Sequence, residues 1–315
     1  MKKTNEKTKT AVKPASKRKS VTQRTEMKPK STEQEREIGI SVSFGKPGFK
    51  KSLKLIKDAG FKNIMILENG RNLARLLKTA RKFEFNIPYV HLSYKKPFSV
   101  NSLWVNGSAR EKLVKNFVAR IEVCKKYGVD TAVIHCARRV NELDYTLDKE
   151  AGLESIKEIL QAAEKYNVKL AFENLNKPEN EYLNFIFANF KSPNLGLCYD
   201  CGHHFLHSPE VDFSKQFAGR CFAVHLHDNM TVQPAPDPWR GDLHGLPGDG
   251  KIDFDKVIKN LAQLNYKGIL MLECSKVSGL SDTYNSMSDA EFLAEAYKRG
   301  KKLAVSVGQS SKKSL

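Results

Sequence analysis

An alternation that begins at Glu37 and runs through eight repeats constrains this chain more than any other feature. Short apolar, β-branched runs are each followed by a longer run in which apolar residues recur with helical period. The predicted strands are Ile38–Ser43, Asn63–Leu67, Ile87–Leu92, Thr131–Cys136, Lys169–Glu173, Leu195–Asp200, Phe222–His227 and Ile269–Glu273. The predicted helices are 49–59, 71–83, 109–127, 149–166, 180–189, 211–218, 254–264 and 289–303. Ser108 with Glu111, and Ser288 with Glu291, have the spacing of a capping box. Asp253 stands where a cap for the helix at Phe254 is needed. Gly60, Gly128 and Gly268 follow helices, where a left-handed stop is cheap. Eight strand–helix units in about 250 residues have the size and order of an α/β (β/α)8 TIM barrel. A doubly wound open sheet, the competing architecture, seldom needs eight regular units in so short a chain.

Charge divides the chain further. Residues 1–37 carry twelve Lys or Arg and five Glu, a net of +7 out of +18 for all 315 residues. They lack aromatics and apolar periodicity, so they are expected to form a disordered basic tail. The expected barrel spans 38–304, with a C-terminal tail at 305–315. A basic tail can hold nucleic acid or an anionic surface by counterion release, or simply be solvated. No run approaches the roughly 18 apolar residues of a membrane span. The opening MKKTNEKTKT is followed by no apolar stretch of the secretory kind, which points to a cytoplasmic protein. Six cysteines are too few for a disulfide framework and are expected as reduced, buried thiols. The pattern leaves the oligomeric state open.

The barrel expectation says where chemistry belongs, at the C-terminal strand ends. His91 and His135 end the third and fourth strands, Glu173 the fifth and Asp200 the sixth. His225 and His227 end the seventh and share a face by alternation, and Glu273 ends the eighth. His203 lies just past the sixth strand, and Asp242 and His244 follow the seventh. All eight histidines lie between 91 and 244, outside every predicted helix. Buried carboxylates without partners would be very costly, and a divalent cation resolves that cost. Mixed Glu, Asp and His ligands suit Mn, Co, Zn, Fe or Mg.

Other residues carry weaker signals. His225 is the better ligand of its pair, with His227 behind it at the substrate or merely buried. His204 and His207 read as loop residues, Glu68 as a rim residue, and Cys198 and Cys201 as buried thiols. The Pro- and Gly-rich loop Gln233–Gly250 holds Trp239, which could stack on a sugar or plug the loop, and Arg240, which could hold an anion. Asp249 makes Gly245–Gly250 a tight turn rather than a phosphate nest. Arg138 and Arg139 follow His135 and could clamp a phosphate or carboxylate, or lie in solvent.

The runs ENL at 173–175, CYDCGH at 198–203, HLHDN at 225–229 and DLHGLPGDGKIDF at 242–254 resemble the xylose-isomerase-like barrel superfamily. The resemblance covers about residues 37–304 and extends to two branches. The sugar epimerase branch implies a metal held by Glu173, Asp200, His225 and Glu273, with the two glutamates as an acid/base pair. The endonuclease IV branch implies three zinc ions, held by His91, His135, Glu173, Asp200, His203, His225, Asp242, His244 and Glu273. Two departures from that branch stand out: DCGHHF at 200–205, and His-Gly at 244–245 where it has a double histidine.

The favoured expectation is a metal-dependent isomerase or epimerase acting on a small sugar or sugar phosphate through an enediolate. Glu173 and Glu273 would move the proton, and His203 would orient a substrate hydroxyl. The alternative is an endonuclease IV-like zinc phosphodiesterase (an AP endonuclease) acting on abasic DNA, with the basic tail aiding binding and Tyr94 as a wedge candidate. A third possibility is a non-enzymatic barrel that binds through its tail.

Overall fold

The computed structural model describes residues 36–95, 97–138, 147–230, 241–277 and 284–313. The basic segment 1–35, Arg139, Trp239 and Arg240 lie outside the described residues. Eight parallel strands form the sheet: β1 (Ile38–Ser41), β2 (Asn63–Leu67), β3 (Tyr89–His91), β4 (Thr131–Ile134), β5 (Lys169–Glu173), β6 (Leu195–Asp200), β7 (Cys221–His225) and β8 (Leu270–Leu272). Their order is β7-β6-β5-β4-β3-β2-β1-β8. The circle is drawn together at β7 and β8 by a bridge between Leu226 and Leu272, just past the end of β7. There the Leu226 amide donates to Met271 O at 2.9 Å and the Glu273 amide to Leu226 O at 3.0 Å. The result is a nearly closed (β/α)8 barrel, as the alternation requires.

The helices are α1 (Phe49–Asp58), α2 (Leu73–Arg81), α3 (Ser108–Lys126), α4 (Lys149–Tyr166), α5 (Lys177–Asn189), α6 (Cys201–His207), α7 (Ser214–Phe217), α8 (Phe254–Gln263) and α9 (Asp289–Lys313). Their apolar stripes pack on the outer face of the strands to form the main core. Asp253 caps α8 through the amides of Asp255 and Lys256, and Ser288 and Glu291 form the expected reciprocal box. Among the described residues no helix is long and apolar enough to cross a membrane.

Several expectations need correction. Ser108 forms no capping box: it is already the first residue of α3, and Gly107 stands at the cap. The left-handed stop after α8 is Asn265, not Gly268. α9 continues to Lys313, so most of the segment read as a C-terminal tail prolongs the last helix. The helix α6 was not foreseen, and it holds His203, His204 and His207. Glu68 is not at the rim: its carboxylate is buried, 2.8 Å from the Arg120 guanidinium, and accepts the Ser93 amide.

The barrel interior positions the site. One apolar layer is made of Met65, Tyr89, Val133, Ala171, Cys198, Ala223 and Met271, one residue each from β2 to β8. On β1 the same layer is Gly39, where a methyl group would sit 2.7 Å from Met271 Cε. Strand side chains alternate, so the residue two further along each strand faces inward again, one layer higher. Those residues are Ser41, Leu67, His91, His135, Glu173, Asp200, His225 and Glu273. The chemistry therefore sits directly on the apolar plug.

Candidate active site

Glu173 is the hub. Its Oε2 lies 2.9 Å from His91 Nε2 and 3.1 Å from His135 Nε2. Its Oε1 lies 3.2 Å from His225 Nδ1 and 3.3 Å from His203 Nδ1. Burial pushes this carboxyl up, but the surrounding imidazoles outweigh it and hold the group well below the usual range. His225 Nδ1 also faces Glu273 Oε2 at 2.9 Å and Asp200 Oδ2 at 3.6 Å. A third group stands beside these: Asp242 Oδ2 is 3.1 Å from His244 Nε2 and 3.5 Å from His203 Nε2. Burial pulls the His244 imidazole down, yet Asp242 and Glu273 lift it to about 10. His135 is held at about 4, chiefly by burial.

Local structure fixes the rings. His91 Nδ1 donates to Leu92 O at 2.9 Å, His203 Nδ1 to Asn174 O at 3.0 Å and His244 Nδ1 to Glu273 O at 2.7 Å. A carbonyl only accepts, so each Nδ1 carries a hydrogen and each Nε2 is the ring atom turned to the site, a lone-pair donor once an ion displaces any proton there. Asp200 caps α6, its Oδ1 accepting the His203 amide at 2.7 Å. Asn174 holds it from behind, accepting the Asp200 amide and donating to its carbonyl. His227 Nε2 lies 3.1 Å from both Asp200 oxygens. His227 is fully buried and stacks on His244 at 4.0 Å, away from the cavity lining. It was expected at the substrate; it orients Asp200 instead. Gly202 is required here, because a methyl group would run into the His227 ring.

Sequence reasoning missed the anchors of the loop after β7. Asp228, wholly buried, accepts the amides of Gly248 at 2.8 Å and Ile252 at 3.0 Å. Asn229 Oδ1 accepts the amides of Leu243 at 2.7 Å and His244 at 3.2 Å. His244 adopts φ +50°, a left-handed conformation that the pair of side chains stabilises. The turn at 246–249 thus closes over a carboxylate of the chain itself, as expected of a tight turn. The signal was present: Asp228 and Asn229 complete the HLHDN run.

The residues fit divalent ions. Among the described residues, ligand atoms within 4.8 Å of one another form three groups: His91, His135 and Glu173; Glu173, Asp200, His225 and Glu273; and His203, Asp242 and His244. Glu173 belongs to two of them. All of these residues except the buried Asp200 and His225 line a cavity of about 370 Å³, which Ser41, Tyr94, Arg138 and Ser275 also line. His204 stays out of it, with Nδ1 2.7 Å from the Tyr199 hydroxyl. All six cysteines are free thiols, five of them buried. Cys198 Sγ lies 3.6 Å from His225 Nε2, on the side of the ring away from the carboxylates.

A family model described as xylose isomerase-like TIM barrel matches residues 53–296. The chain belongs to that family. Among curated family relatives, an uncharacterized protein, y4fM, of Sinorhizobium fredii is 29% identical over 57% of this chain and 57% of its own length. The chain therefore spans just over half of that relative. An inosose isomerase of Bacillus licheniformis is 26% identical over 56% of this chain and 67% of its own. Two solved structures share the fold. A D-tagatose 3-epimerase-like protein superposes with a TM-score of 0.65 at 21% identity, covering 87% of this chain and 99% of its own. The IOLI protein, solved with a zinc atom, gives 0.61 at 19% identity, covering 87% and 98%. Inosose dehydratases of Clostridium botulinum also stand among the curated relatives, and an L-ribulose 3-epimerase stands among the solved structures that share the fold.

Proposed function

We propose that the protein is a divalent-metal-dependent isomerase or epimerase of a small sugar. The observation that carries this reading is the group Glu173, Asp200, His225 and Glu273, four ligand side chains whose atoms converge, the two glutamates lining the cavity and Asp200 and His225 wholly buried against them. A bound Mn, Co, Zn, Fe or Mg ion would supply positive charge that favours a negatively charged substrate oxygen.

The chain's own groups divide the remaining work unequally. Both oxygens of Glu173 are engaged by imidazoles, two on each. Glu273 has one imidazole contact, to His225, and its side chain keeps 16% of its exposure. Glu273 is thus the carboxylate free to take the proton from the carbon beside the substrate carbonyl. Glu173 holds the opposite side and returns a proton there or fixes the ligands. His203 points Nε2 toward Asp242 and the cavity, where it orients a substrate hydroxyl.

The test is incubation of Mn- or Co-loaded protein with candidate ketoses in deuterated water. Deuterium at the carbon beside the carbonyl is the expected result. Absence of label and of isomer with every ketose, at full metal loading, rejects the reading.

A second reading, zinc-dependent phosphodiester hydrolysis, is favoured by the two outer ligand groups that flank the central one. Tyr94 speaks against duplex DNA as the substrate: it lies flat on His135, with ring centroids 4.1 Å apart and planes within 3°, rather than projecting as a wedge. Cleavage of an abasic oligonucleotide by protein holding three zinc ions would establish it.

A further inference from the structure

Arg138 carries the single guanidinium or ammonium group among the described residues that line the cavity. Its backbone is gripped from both sides. Asn101 Oδ1 accepts the Arg138 amide at 2.8 Å, and Asn101 Nδ2 donates to the Arg138 carbonyl at 2.8 Å. Asn101 belongs to the 3-10 turn Val100–Trp104, which is itself pinned by the buried Trp104 indole donating to Cys136 O at 2.7 Å. The arginine therefore starts from a rigid base rather than from a loose loop.

Its charge is left available. Arg110, Arg120 and Arg299 each pair with carboxylates, whereas Arg138 pairs with none among the described residues. Its guanidinium carbon lies 5.4 Å from the centre of the Tyr94 ring, the same ring that stacks on His135. Tyr94 thus touches both Arg138 and the ligand cluster. Its hydroxyl is raised by burial, then by Glu273 and Glu173, while Arg138 opposes them. A guanidinium with no carboxylate partner among the described residues, beside the ring that stacks on His135, suits a planar fork of hydrogen bonds to an oxyanion.

We propose that Arg138, positioned by Asn101 and Tyr94, is an oxyanion subsite, and that the substrate is a sugar bearing a phosphate ester or a carboxylate at the end remote from the Glu173–Glu273 pair. This rests on the sugar isomerase reading of the centre for its choice of sugars. A neutral sugar would leave the arginine unused.

The experiment is calorimetric titration of Mn-loaded protein with three non-reacting polyols: xylitol, xylitol 5-phosphate and xylonate. An anionic polyol is expected to bind about 10- to 100-fold more tightly than xylitol, the worth of a charge-assisted hydrogen bond. The phosphate and carboxylate arms show which oxyanion the subsite takes. In Arg138→Gln the preference should fall to near parity, and Arg138→Lys should keep part of it. Asn101→Ala, which leaves the arginine in place but frees its backbone, should give an intermediate preference. Equal binding of all three polyols, binding of none, or a preference that survives Arg138→Gln overturns the inference. An Arg138-dependent preference in a protein that exchanges no deuterium into any ketose sustains the subsite and rejects the isomerase reading instead.

Discussion

Two glutamates in one cluster have different surroundings, and that difference predicts different phenotypes. Glu173 is enclosed by four imidazoles, so its loss strands several buried groups at once. Breaking a buried charge pair costs about 3–5 kcal/mol. Glu173→Gln is therefore expected to lower the melting temperature of the metal-free protein and to abolish tight ion binding, read by calorimetry and metal analysis. Glu273→Gln is expected to spare the fold. At saturating ion it should slow deuterium exchange by about 10²- to 10⁴-fold, the usual worth of a positioned acid or base. Gly202→Ala forces a methyl group against the His227 ring that steadies Asp200. Overpacking of this kind costs about 1–3 kcal/mol, and weaker metal binding should accompany the loss of stability.

At the scale of elements, the loop after β7 supplies Asp242 and His244, yet it is irregular and depends on two side chains at its own start. Asp228 and Asn229 accept its amides and hold His244 in a left-handed conformation. Asn229→Ala removes the Oδ1 that accepts both the Leu243 and the His244 amides. An ion held by His203, Asp242 and His244 should be lost, while one held by Glu173, Asp200, His225 and Glu273 should stay. Metal stoichiometry by mass spectrometry checks this, and loss of both ions together would show that the loop is not independently anchored. The helix α6 was illegible for a related reason. It spans Cys201–His207, begins at Asp200 and contains Gly202, a poor helix former that is there to make room for His227. Glu68 was misread because Asn69 and Gly70 do form a turn next to it, and its partners Arg120 and Ser93 come from distant elements.

For the whole molecule, the barrel closes at β7 and β8 through a short bridge, and the central ligand group draws on both sides of that seam. His225 ends β7 and Glu273 follows β8, so an ion shared by them is a cross-link at the weakest join. Ligand binding to the folded state alone adds about 2.7 kcal/mol at a concentration 100 times Kd. Metal loading should raise the melting temperature accordingly, and chelation should first increase amide hydrogen exchange around Leu226 and Leu272. Unchanged protection there would show that closure does not depend on the ion. Ion retention should also fall as pH drops, since each histidine ligand must give up its proton to bind. Asp242 and Glu273 lift His244 to about 10, so at the group His203, Asp242 and His244 the competition with protons begins well above the ordinary imidazole range. Equilibrium dialysis at about pH 6 and about pH 9 reads the difference.

The amino-acid order by itself determined the eight-unit barrel, because periods of two and of 3.6 are local properties of a chain. It also determined that carboxylates and imidazoles stand at strand ends, since Glu173, Asp200 and His225 each close a strand. What only the tertiary structure decided is the division of those residues into three groups and the separation of His227 from the cavity. The physical reason is that ligand geometry is set between strands, by register and by backbone carbonyls such as those of Leu92, Asn174 and Glu273 that fix each ring. No local pattern records which carbonyl a distant imidazole will meet.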